Sequence, residues 1–174
     1  MSELESALVV LVPEVAPVLE PWLERTVEAK PSHGIPAHAT ILYPFVPAQE
    51  IDDALLEDLA AIFARFPAFV FELSRLERFP EGVLYLAPEP PGPFRFLTEA
   101  VAAAYPPHPP YGGVFETVIP HVTAAEGENE ILDAAEAGIT PALPTAAEAH
   151  EVVLLEETDM RRWQSRAVFP LAGP

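Results

Sequence analysis

The chain has 174 residues, 50% hydrophobic and 21% charged, which suits one domain or two small lobes sharing one core and excludes a wholly disordered protein. Nine Lys and Arg stand against 27 Asp and Glu, a formal net charge of −18. Affinity for long nucleic acids rests on cations neutralising phosphates, so a broad polyanion-binding face is excluded and any phosphate-bearing partner has to be small. With no cysteine, disulfides, thiolate catalysis and Cys-ligated metal sites are excluded as well.

The apolar, β-branched run 7–12, closed by Pro13, reads as a buried strand. It lacks a preceding basic segment and is far shorter than the ~20 residues of a membrane span, so a cytoplasmic protein with no membrane partner is expected. Residues 15–29 have helical composition, with Pro17 and Pro21 set to kink or restart the helix. Turn residues 30–36 lead into a strand over 37–45 that Pro44 ends. A clear amphipathic helix covers 51–66, with Ile51, Leu55, Leu59, Ile62 and Phe66 on one stripe and acidic residues in its first half, where the dipole favours them. Strands over 69–73 and 82–86 form a hairpin, and a helix over 93–105 stops at Pro106-Pro107. After a Pro- and Gly-rich loop, 106–113, come a strand over 117–124, a short helix over 128–137, and a final hairpin of strands 151–155 and 163–169 around Thr158-Asp159-Met160. The order β α β α β β α β α β β, with halves built alike, suggests one domain over residues 1–174 made by internal duplication.

Each half carries one copy of a small motif, His38-Ala39-Thr40 and His121-Val122-Thr123, 83 positions apart (121 minus 38). On a strand, residues two apart share a face, so two such strands side by side present two imidazoles and two hydroxyls to one cleft. Hydrolysis of a phosphoester without metal needs those groups. One neutral imidazole takes a proton from water, one imidazolium gives a proton to the leaving oxygen, and two donors hold the non-bridging oxygens. An ordinary histidine pKa of about 6.5 allows both protonation states near neutrality. An H-x-[S/T] tripeptide alone is a weak signal; strand context in both copies, prolines just upstream and the half-chain spacing strengthen it. The bland alternative makes His38 and His121 satisfied, partly buried strand residues, with the threonines there for strand propensity.

Pro36-Ala37-His38-Ala39-Thr40-Ile41 and Pro120-His121-Val122-Thr123-Ala124, with the repeated lobe order, resemble the two-histidine (2H) phosphoesterase superfamily, which includes 2′-5′ RNA ligase-like proteins and cyclic phosphodiesterases. The resemblance spans almost the whole chain. It implies a bilobal, pseudo-symmetric α+β fold with two antiparallel sheets around a central cleft, helices outside, and no metal or other cofactor. It also implies His38 and His121 as the acid/base pair, Thr40 and Thr123 as phosphate donors, and Tyr43 as an aromatic placed to stack a base. The nearly symmetric pair is assigned with His121 as general base and His38 as general acid. Strand parity alone sets Tyr43 on the face opposite His38 unless the chain bends at Pro44, leaving core packing as the alternative. Ala124 is smaller than the Leu-like residue often found there.

Arg161, Arg162 and Arg166 form a basic cluster on the last hairpin; Arg162 and Arg166 are candidates for an anion, or balance nearby acids such as Glu156, Glu157 and Asp159. Tyr111 and Phe115, around Gly112-Gly113, are candidates for a movable cleft wall. His33, His108 and His150 lack metal-ligand spacing and read as surface histidines. No phosphate-binding glycine motif is present. The expected function is hydrolysis of a small cyclic phosphoester such as a 2′,3′-cyclic nucleotide, with a short RNA end as a further possible partner. A non-catalytic nucleotide or RNA-end binding module and 2′-5′ RNA ligase-like activity are the alternatives.

Overall fold

The computed structural model describes residues 3–26, 35–114, 117–160 and 162–173. Among the described residues eight strands are present: β1 (Ser6–Leu11), β2 (His38–Leu42), β3 (Phe69–Phe79), β4 (Val83–Glu89), β5 (Val122–Glu126), β6 (Thr145–Ala149), β7 (Glu151–Glu157) and β8 (Trp163–Pro170). The helices are α1 (Ala16–Thr26), α2 (Asp53–Phe63), α3 (Gly92–Ala104) and α4 (Asn129–Ile139), with 3₁₀ turns at Ala48–Glu50, Pro110–Gly113 and Thr140–Ala142. Every strand pairing is antiparallel, in the order β6-β3-β4-β5-β2-β1-β7-β8.

The expected α+β architecture is present, and the two expected sheets are halves of one curled sheet. Strands β6-β3-β4-β5 form one half and β2-β1-β7-β8 the other, joined where Ala39 of β2 pairs with Val122 of β5. All four helices pack on one face, contributing Leu19, Leu59, Phe63, Phe94, Leu97, Val101, Leu132 and Ile139 to the main core. They cross between halves, α1 lying against β5 and α3 against β2. A smaller cluster on the opposite face, Ala7, Val9, Val153 and Leu155 with Leu11, Ile35, Tyr43 and Trp163 packed against it, contains no helix residue.

Strand β6 was not anticipated from its sequence. Thr145-Ala-Ala-Glu-Ala has little strand preference, and pairing with the edge of β3 holds it, with Ala147 and Ala149 buried. Strand β5 starts at Val122 and not at 117, since Pro120 has no N–H to give a ladder. Helix α2 lies inside the expected span, capped by Asp52 Oδ1, which accepts from the Leu55 N–H at 2.8 Å.

Candidate active site

Along β2, Ala39 and Ile41 face the helix-side core, so His38 and Thr40 point to the open face. On β5, Val122 and Ala124 are buried in the same core, which turns Thr123 and the preceding His121 to the open face. Because Ala39 pairs antiparallel with Val122, stepping one residue each way sets His38 opposite Thr123 and Thr40 opposite His121. Cβ atoms directly across such a pair are about 5 Å apart and those on a diagonal about 7–8 Å. The two histidines occupy one diagonal and the two threonines the other. The seam between the half-sheets thus assembles the four residues.

Both imidazoles are held alike. His38 Nδ1 lies 2.8 Å from the Pro36 carbonyl oxygen, and His121 Nδ1 lies 2.8 Å from that of Ile119. A carbonyl only accepts, so each Nδ1 carries the proton and donates, leaving each Nε2 for proton transfer.

A bulge re-aims the end of β2. Thr40 pairs with Val9 and Leu42 with Leu8, so Ile41 is one extra residue and parity flips after it. Tyr43 therefore returns to the open face and packs against the small cluster with Trp163. The bend that this required falls at Ile41, two residues before the tyrosine. The buried Thr98 hydroxyl of α3 donates to the freed Ile41 carbonyl at 2.7 Å. Strand β5 repeats the device: Thr123 pairs with Tyr85 and Ala125 with Leu84, making Ala124 the extra residue. In both strands the bulge falls three residues after the histidine.

Surroundings differ between the two copies. Five residues after His38 stands Tyr43, whose hydroxyl donates to Glu5 Oε2 and whose ring meets Trp163 edge-on, centroids 6.2 Å apart. Five residues after His121 stands Glu126. Burial lowers both imidazole pKa values below the ordinary 6.5; the Pro36 and Ile119 carbonyls oppose it, Glu126 also raises His121, and the charge on His121 lowers His38 further. His121 also stands perpendicular to Phe79 (5.1 Å) and Tyr85 (5.7 Å), two rings stacked on each other 4.1 Å apart. Phe79, Tyr85 and Glu126 escaped the sequence reading. The isolated Tyr in the apolar run Val83-Leu84-Tyr85-Leu86 and the shared +5 spacing of Tyr43 and Glu126 were the available signals.

Tyr111 enters the site from the 3₁₀ turn before β5. Its N–H donates to the Tyr43 carbonyl at 2.6 Å, and its hydroxyl is hydrogen-bonded to Thr40. Tyr111 has φ 51°, a left-handed conformation uncommon for a tyrosine, and Gly112 (φ 65°) and Gly113 (φ 79°) continue it. Burial raises its phenol pKa, opposed by the bond to Thr40.

Arg166 is the bulged residue of β8 and its Nε lies 3.7 Å from Glu156, on the face that Leu154 buries beneath the helices. Arg162 lies exposed at the hairpin end, its N–H 3.4 Å from Thr158 Oγ1. Strict alternation fails across this bulge: Ala167 packs on the helix-side core and Trp163, four residues earlier, on the opposite cluster. His108 meets Phe45 edge-on at 6.1 Å, and His150 lies 3.5 Å from Glu148. Arg161, His33 and Phe115 lie outside the described residues. Among the described residues no group of three or more His, Asp or Glu is placed to hold a metal ion, and no helix is long and apolar enough to cross a membrane.

Two imidazoles and two hydroxyls gathered on the open face of a curled antiparallel sheet are the groups that acid/base work on a phosphoester requires. The chain belongs to the 2′-5′ RNA ligase superfamily, whose family model matches residues 12–161. Its fold is that of E. coli LigT, crystallised with 3′-AMP (TM-score 0.60, 15% identity, 98% of this chain and 99% of that one). It is similarly close to a structure described as a phosphoesterase (TM-score 0.59, 16% identity, 98% and 99% covered), and to TT0787 of Thermus thermophilus (TM-score 0.58, 19% identity, 97% and 98% covered). No curated protein sequence matches the chain. Membership in this superfamily points to phosphoesterase-type activity.

Proposed function

We propose that the protein is a metal-independent phosphodiesterase that opens a small cyclic phosphoester, such as a 2′,3′-cyclic nucleotide, and that the chain is one domain of two duplicated lobes. The observation that carries this reading is the diagonal His38–His121 arrangement on one open face, with both Nδ1 atoms tied to carbonyls so that each Nε2 is left for proton transfer. The site then supplies both proton transfers that hydrolysis requires. One Nε2 takes a proton from water as the water oxygen bonds to phosphorus. The other gives its proton to the ribose oxygen as the ring P–O bond breaks. The Thr40 and Thr123 hydroxyls donate to the non-bridging oxygens as negative charge grows there.

The charges favour His121 as the resting acid and His38 as the base, the reverse of the assignment made from sequence. Glu126 supports a proton on His121, and a protonated His121 disfavours one on His38. Tyr43 and Tyr111 are placed to border the nucleoside of the substrate. Arg166, paired with Glu156, is left out of the substrate site, and Arg162 is kept as a candidate for the substrate's anionic end.

In the test, His38→Ala and His121→Ala each lower turnover of a 2′,3′-cyclic nucleotide by about 10²- to 10⁴-fold, the range of one acid/base group, while the circular-dichroism spectrum is retained. Turnover that depends on added metal, or that survives in both variants, ends this reading. Tight nucleotide binding by calorimetry with no product by phosphorus NMR would favour the binding-module alternative. Joining of RNA ends fits the molecule poorly, since a net charge of −18 opposes two polyanionic strands.

A further inference from the structure

His121 has an aromatic setting, with Phe79 and Tyr85 both edge-on to its ring. The registers Thr40 with Val9 and Thr123 with Tyr85 make Val9 and Tyr85 equivalent positions of the two halves. One strand further out, Phe79 lies across from Val83 as Leu155 does from Ala7. Aliphatic side chains in the His38 half thus correspond to a stacked aromatic pair in the His121 half. Tyr85 is only 5% exposed, and its hydroxyl donates to Glu77 Oε2 at 3.0 Å. Glu77 is held in turn by Arg75 Nη1 at 3.3 Å, and Arg75 Nη2 by Glu89 at 2.7 Å. The ring against His121 is therefore fixed at its far end by a chain of polar contacts, and Phe79 covers its face. Two nearly parallel rings, each almost perpendicular to the imidazole, oppose rotation about the Cβ–Cγ bond that the Nδ1 contact alone would permit.

We propose that Phe79 and Tyr85 are positioning residues that fix the His121 ring before substrate arrives, a device built into the His121 half of the site. The catalytic part of this inference rests on the hydrolase reading above. A fixed ring keeps Nε2 in line with the substrate phosphate, and losing alignment by about 1 Å costs up to about a hundredfold in rate.

The test compares Phe79→Leu, which keeps apolar bulk but removes the stack, with Tyr85→Leu and Tyr85→Phe, all in the full chain. In ¹⁵N-histidine-labelled protein without substrate, the His121 ring signals should shift and broaden in Phe79→Leu and Tyr85→Leu, while those of His38 hold as an internal reference. With a 2′,3′-cyclic nucleotide, kcat should fall about 10- to 100-fold in those two variants at a KM within about twofold, and Tyr85→Phe should retain most of the rate. Unchanged His121 signals in Phe79→Leu overturn the proposal. So does a raised KM at constant kcat, which would make Phe79 a substrate contact. A parent protein that turns over no cyclic phosphate sinks only the hydrolase reading, because the ring signals still decide the positioning role.

Discussion

The His38 and His121 halves of the cleft share a backbone and differ in what surrounds it. Each offers a histidine tied through Nδ1 to the carbonyl two residues back, a threonine two positions on, and a bulge at the third. At the fifth position they part: Tyr43 in one half, bonded to Glu5, and Glu126 in the other. The flanking strand offers Val9 in one and Tyr85 in the other. Backbone geometry delivers two equivalent His–Thr pairs to one open face, while the neighbours make the two histidines unequal. Acid/base chemistry benefits from that inequality, since one imidazole must start protonated and the other neutral.

The sharpest probe of the shared part is the threonine pair. Removal of one donor to a developing oxyanion costs about 10²-fold in kcat, so Thr123→Val and Thr40→Val should each cause a loss of that order. Thr40 also bonds Tyr111, so Thr40→Val should additionally loosen the 110–113 turn and raise KM, which Thr123→Val should not. Steady-state kinetics of the two variants separate these effects. Equal KM values in both would show that the Tyr111 contact does not distinguish the halves.

Much of this site was legible because period-two alternation and the repeated H-x-T motif are local properties. The strands carrying His38 and Thr123 and the strip of Ala39 and Ile41 toward the core follow from that periodicity alone. What alternation cannot carry is a one-residue insertion: the bulge at Ile41 is defined by β1 lying beside it, so Tyr43 reads as facing away until the partner strand is known. The same failure separates Ala167 from Trp163 across the β7–β8 register shift. Strand β6 was illegible for another reason, since Ala-rich sequence becomes strand only through the edge that β3 supplies. Phe79 and Tyr85 meet His121 across three strands, a contact with no local signature.

A smaller effect is expected where the His38 half depends on a helix. The Thr98 hydroxyl satisfies the Ile41 carbonyl that the bulge frees. Thr98→Val keeps the shape and leaves that buried acceptor unpaired, a cost of about 1–3 kcal/mol. For a chain of this size each kcal/mol lowers Tm by about 2–4 °C, which calorimetry resolves. Because α3 lies against β2, the His38 ring signals should move and those of His121 should hold. Equal movement of both would mean that the seam transmits strain and that the halves are not separate.

The finest test addresses the inequality itself. Both histidine pKa values lie below 6.5 in the folded protein, so hydrolysis should be fastest below about that pH, falling on the acid side as His38 is protonated and on the alkaline side as His121 loses its proton. Glu126→Gln removes a carboxylate that raises His121, so the alkaline limb should move to lower pH and the active window narrow. Stability should follow by linkage. A histidine with a lowered folded pKa binds fewer protons folded than unfolded, so stability is full above the unfolded value near 6.5 and declines as pH falls toward the folded value. Glu126→Gln extends that range downward, so its Tm should fall further than that of the parent between pH 7.5 and 5. His121→Gln removes the titrating group and should flatten its share of the dependence. An alkaline limb that stays in place in Glu126→Gln would show that Glu126 does not set the protonation order, leaving the Phe79–Tyr85 pair as the remaining difference at His121.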